Sequence, residues 1–208
     1  MRVLFVHRAF PGHYPHLARA LAAAGDDVVF IHAEGEGEIP GVRRIAIQPK
    51  RAAHATTHHY LQGFETAVLL GQAAYRAASQ LSREGFRPDL ICAHAGFGPG
   101  LFLADAFPGV PLLGYFEWYY RARGADADYL DPADVTDDDA LRIRTRNARL
   151  LMELVACTGG IVPTQFQRDQ FPPEFQDKLT VLHDGVDTNY FRPADAKTRA
   201  RPPVDLPA

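Results

Sequence analysis

The chain is sparing with cysteine, with net charge and with long apolar runs, and each shortage removes a class of protein. Cys92 and Cys157 are the only cysteines in 208 residues and lie far apart in apolar stretches, which excludes a disulfide-stapled secreted scaffold and fits a reducing cytoplasm. The N-terminal apolar run from Val3 to Val6 stops at His7, too short for a signal peptide or a membrane span. Peripheral contact at the inner face of a membrane stays open, because basic or aromatic loops can meet lipid-linked substrates. A formal charge of −3 provides no field to collect nucleic acid, which is not an expected partner.

Two nucleotide signatures are missing as well. No Gly-x-Gly-x-x-Gly follows a strand, and the second apolar run ends at His32 rather than an acid, with Glu34 a weak substitute. Nor is there a Gly-x-x-x-x-Gly-Lys-Ser/Thr loop. His54, His58 and His59 have no carboxylate or cysteine at a ligand spacing, so they read as loop surface and no metal is expected. Cys157 has no identifiable base beside it, which argues against a nucleophile.

What is present is ordinary in composition and regular in pattern. Hydrophobic residues at 47% and charged residues at 23% are the proportions of a folded domain, and the length suffices for one compact core. Val3 to Val6, Val28 to Ile31, Val42 to Ile47, Leu90 to Ala93, Pro111 to Phe116, Gly160 to Val162 and Leu179 to Leu182 read as strands. Helices are expected from Tyr14 to a cap at Gly25, and from about Tyr60 to Arg83 on a stripe of Leu61, Phe64, Val68, Tyr75 and Leu81. Others are expected over Gly98 to Phe107, from a capping box at Thr136 and Asp139 to about Ala156, and over Gln165 to Gln170. Glu117 to Val135 is aromatic, then acidic, and reads as a long functional loop, while the tail from Ala194 is proline-rich. The alternation predicts an α/β, three-layer Rossmann-like domain whose mostly parallel sheet carries helices on both faces.

In such sheets ligands collect at the carboxyl ends of the strands. After the first strand, Pro11-Gly12 is either a tight turn or a loop whose amides, with His13, hold a phosphate or sugar hydroxyl at a helix start. His94 ends a strand and opens a run of small residues; it reads as a cleft imidazole bonding a substrate hydroxyl, or as a histidine satisfied by backbone. Glu117 with Trp118, Tyr119 and Tyr120 has the make-up of a carbohydrate contact, flat rings beside a hydroxyl-binding acid, or else of a core edge or partner surface. Arg142, Arg146 and Arg149 share one helix face, which most often means a solvated face and less often an anion contact.

The string Val181-Leu182-His183-Asp184-Gly185-Val186-Asp187-Thr188-Asn189-Tyr190-Phe191-Arg192-Pro193 resembles the interdomain segment of glycosyltransferase family 4. Pro88-Asp89-Leu90-Ile91 leading to His94, Gly160-Ile161-Val162-Pro163-Thr164 and the Gly12 turn extend the likeness over nearly the whole chain. The resemblance implies one half of a two-domain GT-B fold. Residues 1–182 would be the N-terminal, acceptor-side domain, and 183–208 the linker and the start of a donor-binding domain lying beyond Ala208. It implies retaining transfer of a sugar from a nucleotide-sugar donor to a hydroxyl of a glycan, lipid-linked or small-molecule acceptor, with no metal or cofactor and no turnover by this portion alone. The roles it carries over are His94 as the catalytic residue orienting the sugar and Gly12 and His13 at the donor diphosphate or sugar. His16, Glu117, Trp118 and Tyr119 fall to the acceptor. A single glycine in the first loop departs from the double-glycine form common in the family. Two further readings suit the same architecture: a non-catalytic binding or partner domain, and a nucleotide-sugar epimerase, which the linker string fits less well.

Overall fold

The computed structural model describes residues 1–131 and 135–193. Its strands are β1 (Arg2–Ala9), β2 (Asp27–Glu34), β3 (Val42–Ala46), β4 (Leu90–His94), β5 (Leu112–Tyr115), β6 (Gly159–Val162) and β7 (Leu179–Val181). They form one sheet in the order β3-β2-β1-β4-β5-β6-β7, with every neighbouring pair parallel. The helices are α1 (Pro15–Ala23), α2 (Gln62–Arg83), α3 (Leu103–Ala106), α4 (Asp137–Arg146), α5 (Ala148–Ala156), α6 (Gln165–Gln170) and α7 (Pro173–Gln176).

The strands are continuous apolar runs because both faces of the sheet are covered. Val3, Phe5, Val28, Phe30 and Cys92 pack on one face with Tyr14 and Ala18 of the α1 region. Their alternates Leu4, Val6, Val29, Ile31, Ile91 and Ala93 pack on the other with Ala74, Ala78 and Leu81 of α2 and Leu150 and Leu154 of α5. Phe5 and Phe30 are fully buried, so truncating either to alanine costs about 3–5 kcal/mol. This is the expected three-layer α/β domain. Strand succession reverses between β1 and β4, which makes the crevice at their carboxyl ends the topological switch point of the sheet.

Several local expectations change. α2 buries only part of the expected stripe: Leu81 is buried and Phe64 and Val68 partly so, but Leu61 and Tyr75 are exposed, and the inward face runs through Ala67, Leu70, Ala74, Ala78 and Leu81. Small side chains let a long helix lie close to its neighbours. Gly98, at φ +106°, comes so near the Ala67 backbone that any Cβ would clash with it. That packing curls residues 98–102 into turns and shortens the expected Gly98 to Phe107 helix to the four residues of α3. The helix expected from Thr136 to Ala156 starts at its capping box, Asp139 N–H donating to Thr136 Oγ1 at 3.1 Å, but breaks at Asn147. There the buried Asn147 side chain accepts from the Tyr120 amide at 3.0 Å and donates to the Tyr120 carbonyl at 2.8 Å. α4 and α5 therefore meet at Asn147, which ties them to the loop after β5. Residues 183–193 leave the sheet and are exposed; the rest of the expected linker, 194–208, lies outside the described residues, as does part of the 117–135 loop.

Candidate functional site

β1, β4 and β5 are adjacent, and each carries a polar ring at or near its carboxyl end: His7 lies two residues before the end of β1, β4 stops at His94, and β5 stops at Tyr115, which is in register with His94. His13, on the loop after β1, covers them. Its ring lies 4.7 Å from that of His94 at 17° and 5.0 Å from that of Tyr115 at 27°. His7 meets His94 edge-on at 4.5 Å. Four rings thus fill the floor of the switch-point crevice.

The protons on this cluster can be followed. His7 Nδ1 accepts the Ala9 amide at 2.8 Å, so in the neutral ring Nε2 carries the hydrogen and points it at His13 Nδ1, 3.2 Å away. Burial, then His13, lowers the His7 pKa to about 4. His94 is 2% exposed, and burial, followed by the neighbouring His7 and His13, lowers its pKa to about 3. Neither His94 nitrogen makes a hydrogen bond of good geometry among the described residues. A neutral imidazole has one donor and one acceptor, and leaving such a group unmet in a buried position costs about 1–3 kcal/mol. The Glu117 carboxylate lies 3.6 Å from His94 Nε2, with its side chain half in solvent. Glu117 and the His13 ring close Nε2 off from solvent, so a hydroxyl-bearing ligand reaches it when one of them moves aside.

Ring nitrogens of His7, His13 and His94 come within 4.8 Å of one another, the spacing of a cation site. Stacked rings, however, hold their lone pairs in parallel planes, and His13 and His94 would have to turn before both could aim at one ion.

Gly12 is required by its neighbours as well as by its backbone. Its φ is +53°, and a Cβ there would sit 2.5 Å from the His7 ring. The exposed loop 11–13 is thereby pressed onto the histidine cluster. Behind the cleft, Glu153 of α5 is 5% exposed, and its Oε2 accepts the Gly96 amide at 2.5 Å. Burial pushes this carboxyl up to about 8, against the opposing pull of the Gly96 amide and Arg149. It holds the loop that follows His94.

Of the residues expected from sequence, Gly12, His13, His94 and Glu117 are brought together. Trp118 stands next to them, lining a small cavity with Ala95, Phe97 and Glu117 and tilting against Phe166 at 5.8 Å. Tyr119 turns away and packs 5.3 Å from Phe171 at the core edge. His16 lies exposed on the first turn of α1, apart from the ring cluster. His7, Tyr115, Asp184 and Glu153 were not singled out. His7 and Tyr115 obey the same strand-end rule that selected His94. Glu153 was detectable as the one acid on the buried face of α5, three residues after Leu150. Asp184, from the exposed segment after β7, accepts the Tyr115 hydroxyl at 2.8 and 2.9 Å, and nothing local in sequence announces that pairing.

A parallel α/β domain with a polar cleft at its switch point is a Rossmann-like scaffold, a class that binds its ligands at the carboxyl ends of its strands. The chain belongs to the glycosyl transferase family 4 group, whose family model matches residues 24–191. No curated protein matches it in sequence. Among solved structures it is similar in fold to Phytolacca americana UGT2 complexed with UDP-2-fluoro-glucose and pterostilbene, at 16% identity and TM-score 0.58 over 89% of this chain and 52% of that one. It is also similar to Os79 from O. sativa in complex with UDP and deoxynivalenol-3-glucoside, at 12% identity and TM-score 0.54 over 95% and 56%. The catalytic domain of starch synthase IV from Arabidopsis thaliana bound to ADP and acarbose gives 14% identity and TM-score 0.52 over 94% and 53%. The chain spans about half the length of these structures. The fold is a Rossmann-like α/β domain that matches GT-B glycosyltransferases. Among the described residues no helix is long and apolar enough to cross a membrane.

Proposed function

We propose that the chain is the acceptor-side half of a retaining glycosyltransferase that moves a sugar from a nucleotide-sugar donor to a hydroxyl acceptor. The observation that carries this reading is His94: buried at the switch point, held neutral near pH 7, with no hydrogen bond of good geometry at either nitrogen beside a weak contact with the Ala95 backbone, and with a carboxylate 3.6 Å away. In a sugar transfer the leaving diphosphate gains negative charge while the sugar becomes oxocarbenium-like, and fixed hydrogen bonds aimed at those changes lower the barrier. His94 orients a hydroxyl of the donor sugar without adding positive charge beside the developing cation. The Gly12 loop and His13 face the donor phosphates held by a second domain, and Glu117 and Trp118 receive the acceptor. Proteins of similar fold complexed with UDP-2-fluoro-glucose, UDP or ADP support a nucleotide-sugar donor.

The test is transfer by the protein that carries this chain, assayed with uridine, guanosine and adenosine diphosphate sugars against hydroxyl acceptors. Transfer with retained anomeric configuration is expected, and His94→Ala lowers kcat/KM about 100-fold, equivalent to about 3 kcal/mol. No transfer from any donor, or an unchanged rate in that variant, would overturn the reading.

A further inference from the structure

Of the arginines that share a face of α4 and α5, Arg142 and Arg146 are exposed, as a solvated face requires, whereas Arg149 is half-buried. Arg142, Arg146 and Arg149 line one wall of a cavity of about 200 Å³, with His59, Tyr60 and Thr145 also on its surface. Among the described residues, acids stand only at its His59 and Arg142 end, where Asp138 accepts the Tyr60 hydroxyl and lies 3.8 Å from His59 Nε2. The three cations differ in what already holds them. Arg142 is paired with Asp139 at 2.7 Å. Arg146 lies over the Tyr120 ring at 3.7 Å, a face-on contact that leaves the N–H edges of the guanidinium for another partner. Arg149 is half-buried; Nη1 donates to the Gly63 carbonyl at 3.3 Å, while the buried Nε has no hydrogen-bond partner. Burial and the like charges of Arg146 and Arg8 lower its pKa.

Two close guanidinium groups, one partly desolvated and incompletely bonded, are an arrangement that an anion stabilises and a neutral ligand does not. The first turn of the 22-residue α2, at Gly63 and Phe64, forms part of the same wall and adds the positive end of its dipole. The cavity also adjoins the cleft: Tyr120, beneath Arg146, lines the small cavity that holds Glu117 and Trp118. We propose that Arg146 and Arg149 bind the phosphate group of a phosphorylated acceptor whose hydroxyl lies at Glu117. The word acceptor rests on the glycosyltransferase reading; the phosphate site stands on the cavity.

The experiment measures equilibrium binding and melting temperature of the whole protein with two phosphate monoesters, glycerol 3-phosphate in solution and phosphatidic acid in phosphatidylcholine vesicles. At least one is expected to bind, weakening with salt, and the soluble ester raises the melting temperature if it is the one bound. Arg146→Gln and Arg149→Gln each weaken binding about tenfold or more, and the double variant abolishes it. Binding of the soluble ester identifies a soluble acceptor, and binding of the vesicles alone identifies a lipid phosphate. Binding of neither probe, or binding unchanged in the double variant, overturns the site. Arg149→Gln removes an incompletely bonded cation and is expected to melt no lower than the wild type; if it does not fold, Arg146→Gln decides alone. The readout needs no donor sugar, and His94→Ala is expected to bind phosphate as the wild type does. Phosphate binding without sugar transfer from any donor would remove the transferase and keep the site.

Discussion

At the scale of a residue, the telling side chain behind the cleft is Glu153. Its carboxyl reaches one donor, the Gly96 amide at 2.5 Å, and its other oxygen is buried without a partner. An ionised carboxylate so placed would lose far more solvation than one amide returns, so the group is held protonated near neutral pH. Its value to the fold is that of a neutral acceptor, not of a charge. Glu153→Gln retains the acceptor and the volume and is expected to cost less than about 1 kcal/mol in a urea melt. Glu153→Ala strands the Gly96 amide and opens a void beneath the loop carrying His94, at about 2–4 kcal/mol. Equal losses in both variants would mean that the charge matters after all.

At the scale of elements, the break between α4 and α5 decides how the loop after β5 is held. Asn147 closes two hydrogen bonds on Tyr120 and is buried, so Asn147→Ala removes both and is expected to cost about 2 kcal/mol. Trp118 is the only tryptophan and sits two residues from the tie. Its fluorescence should shift toward that of an exposed indole in the variant, and an unchanged spectrum would show that the tie does not hold the loop. The break also shows where sequence reading stops. Strands of the parallel sheet were legible because each needs only its own apolar run, and His94 because a strand end is a position within that run. The capping box of α4 was legible for the same local reason. Asn147 has no helix-breaking character of its own; it interrupts the helix because Tyr120, 27 positions away, offers a donor and an acceptor. The shortening of α3 depends likewise on Ala67 standing over Gly98, and the Arg149 cavity on α2 meeting α5. Contacts of that range leave no trace in a window of neighbouring residues.

At the scale of the whole molecule, the cleft and the support behind it pull stability in opposite directions with pH. His7 and His94 are neutral in the fold, with pKa values of about 4 and 3, whereas an unfolded chain protonates them near 6.5. Below 6.5 the unfolded chain binds the extra protons, so their contribution is complete above that pH and is lost as pH falls toward 4. His32, lowered by burial, adds to the same acid limb. Glu153 acts in reverse: its pKa is raised from an ordinary 4.5 to about 8, so the folded chain holds the extra proton between those values. Its contribution is full below 4.5 and is lost as pH rises through 8. Glu65 and Asp139, held at about 2 by their hydrogen bonds, change charge well below this range, and the raised amino terminus acts above pH 8. From 4.5 to 6.5 the histidines outweigh the single carboxyl, and from 6.5 to 8 the carboxyl acts alone. Stability is therefore expected to peak near pH 6.5 and to fall toward pH 8 by up to about 1.4 kcal/mol per pH unit, the slope of one proton. Urea midpoints at pH 5, 6.5 and 8 measure it directly. Glu153→Gln should flatten the alkaline limb and leave the acid limb intact, since the buried imidazoles are untouched; a wild-type profile that keeps rising to pH 8 would place an ionised carboxylate beneath the His94 loop.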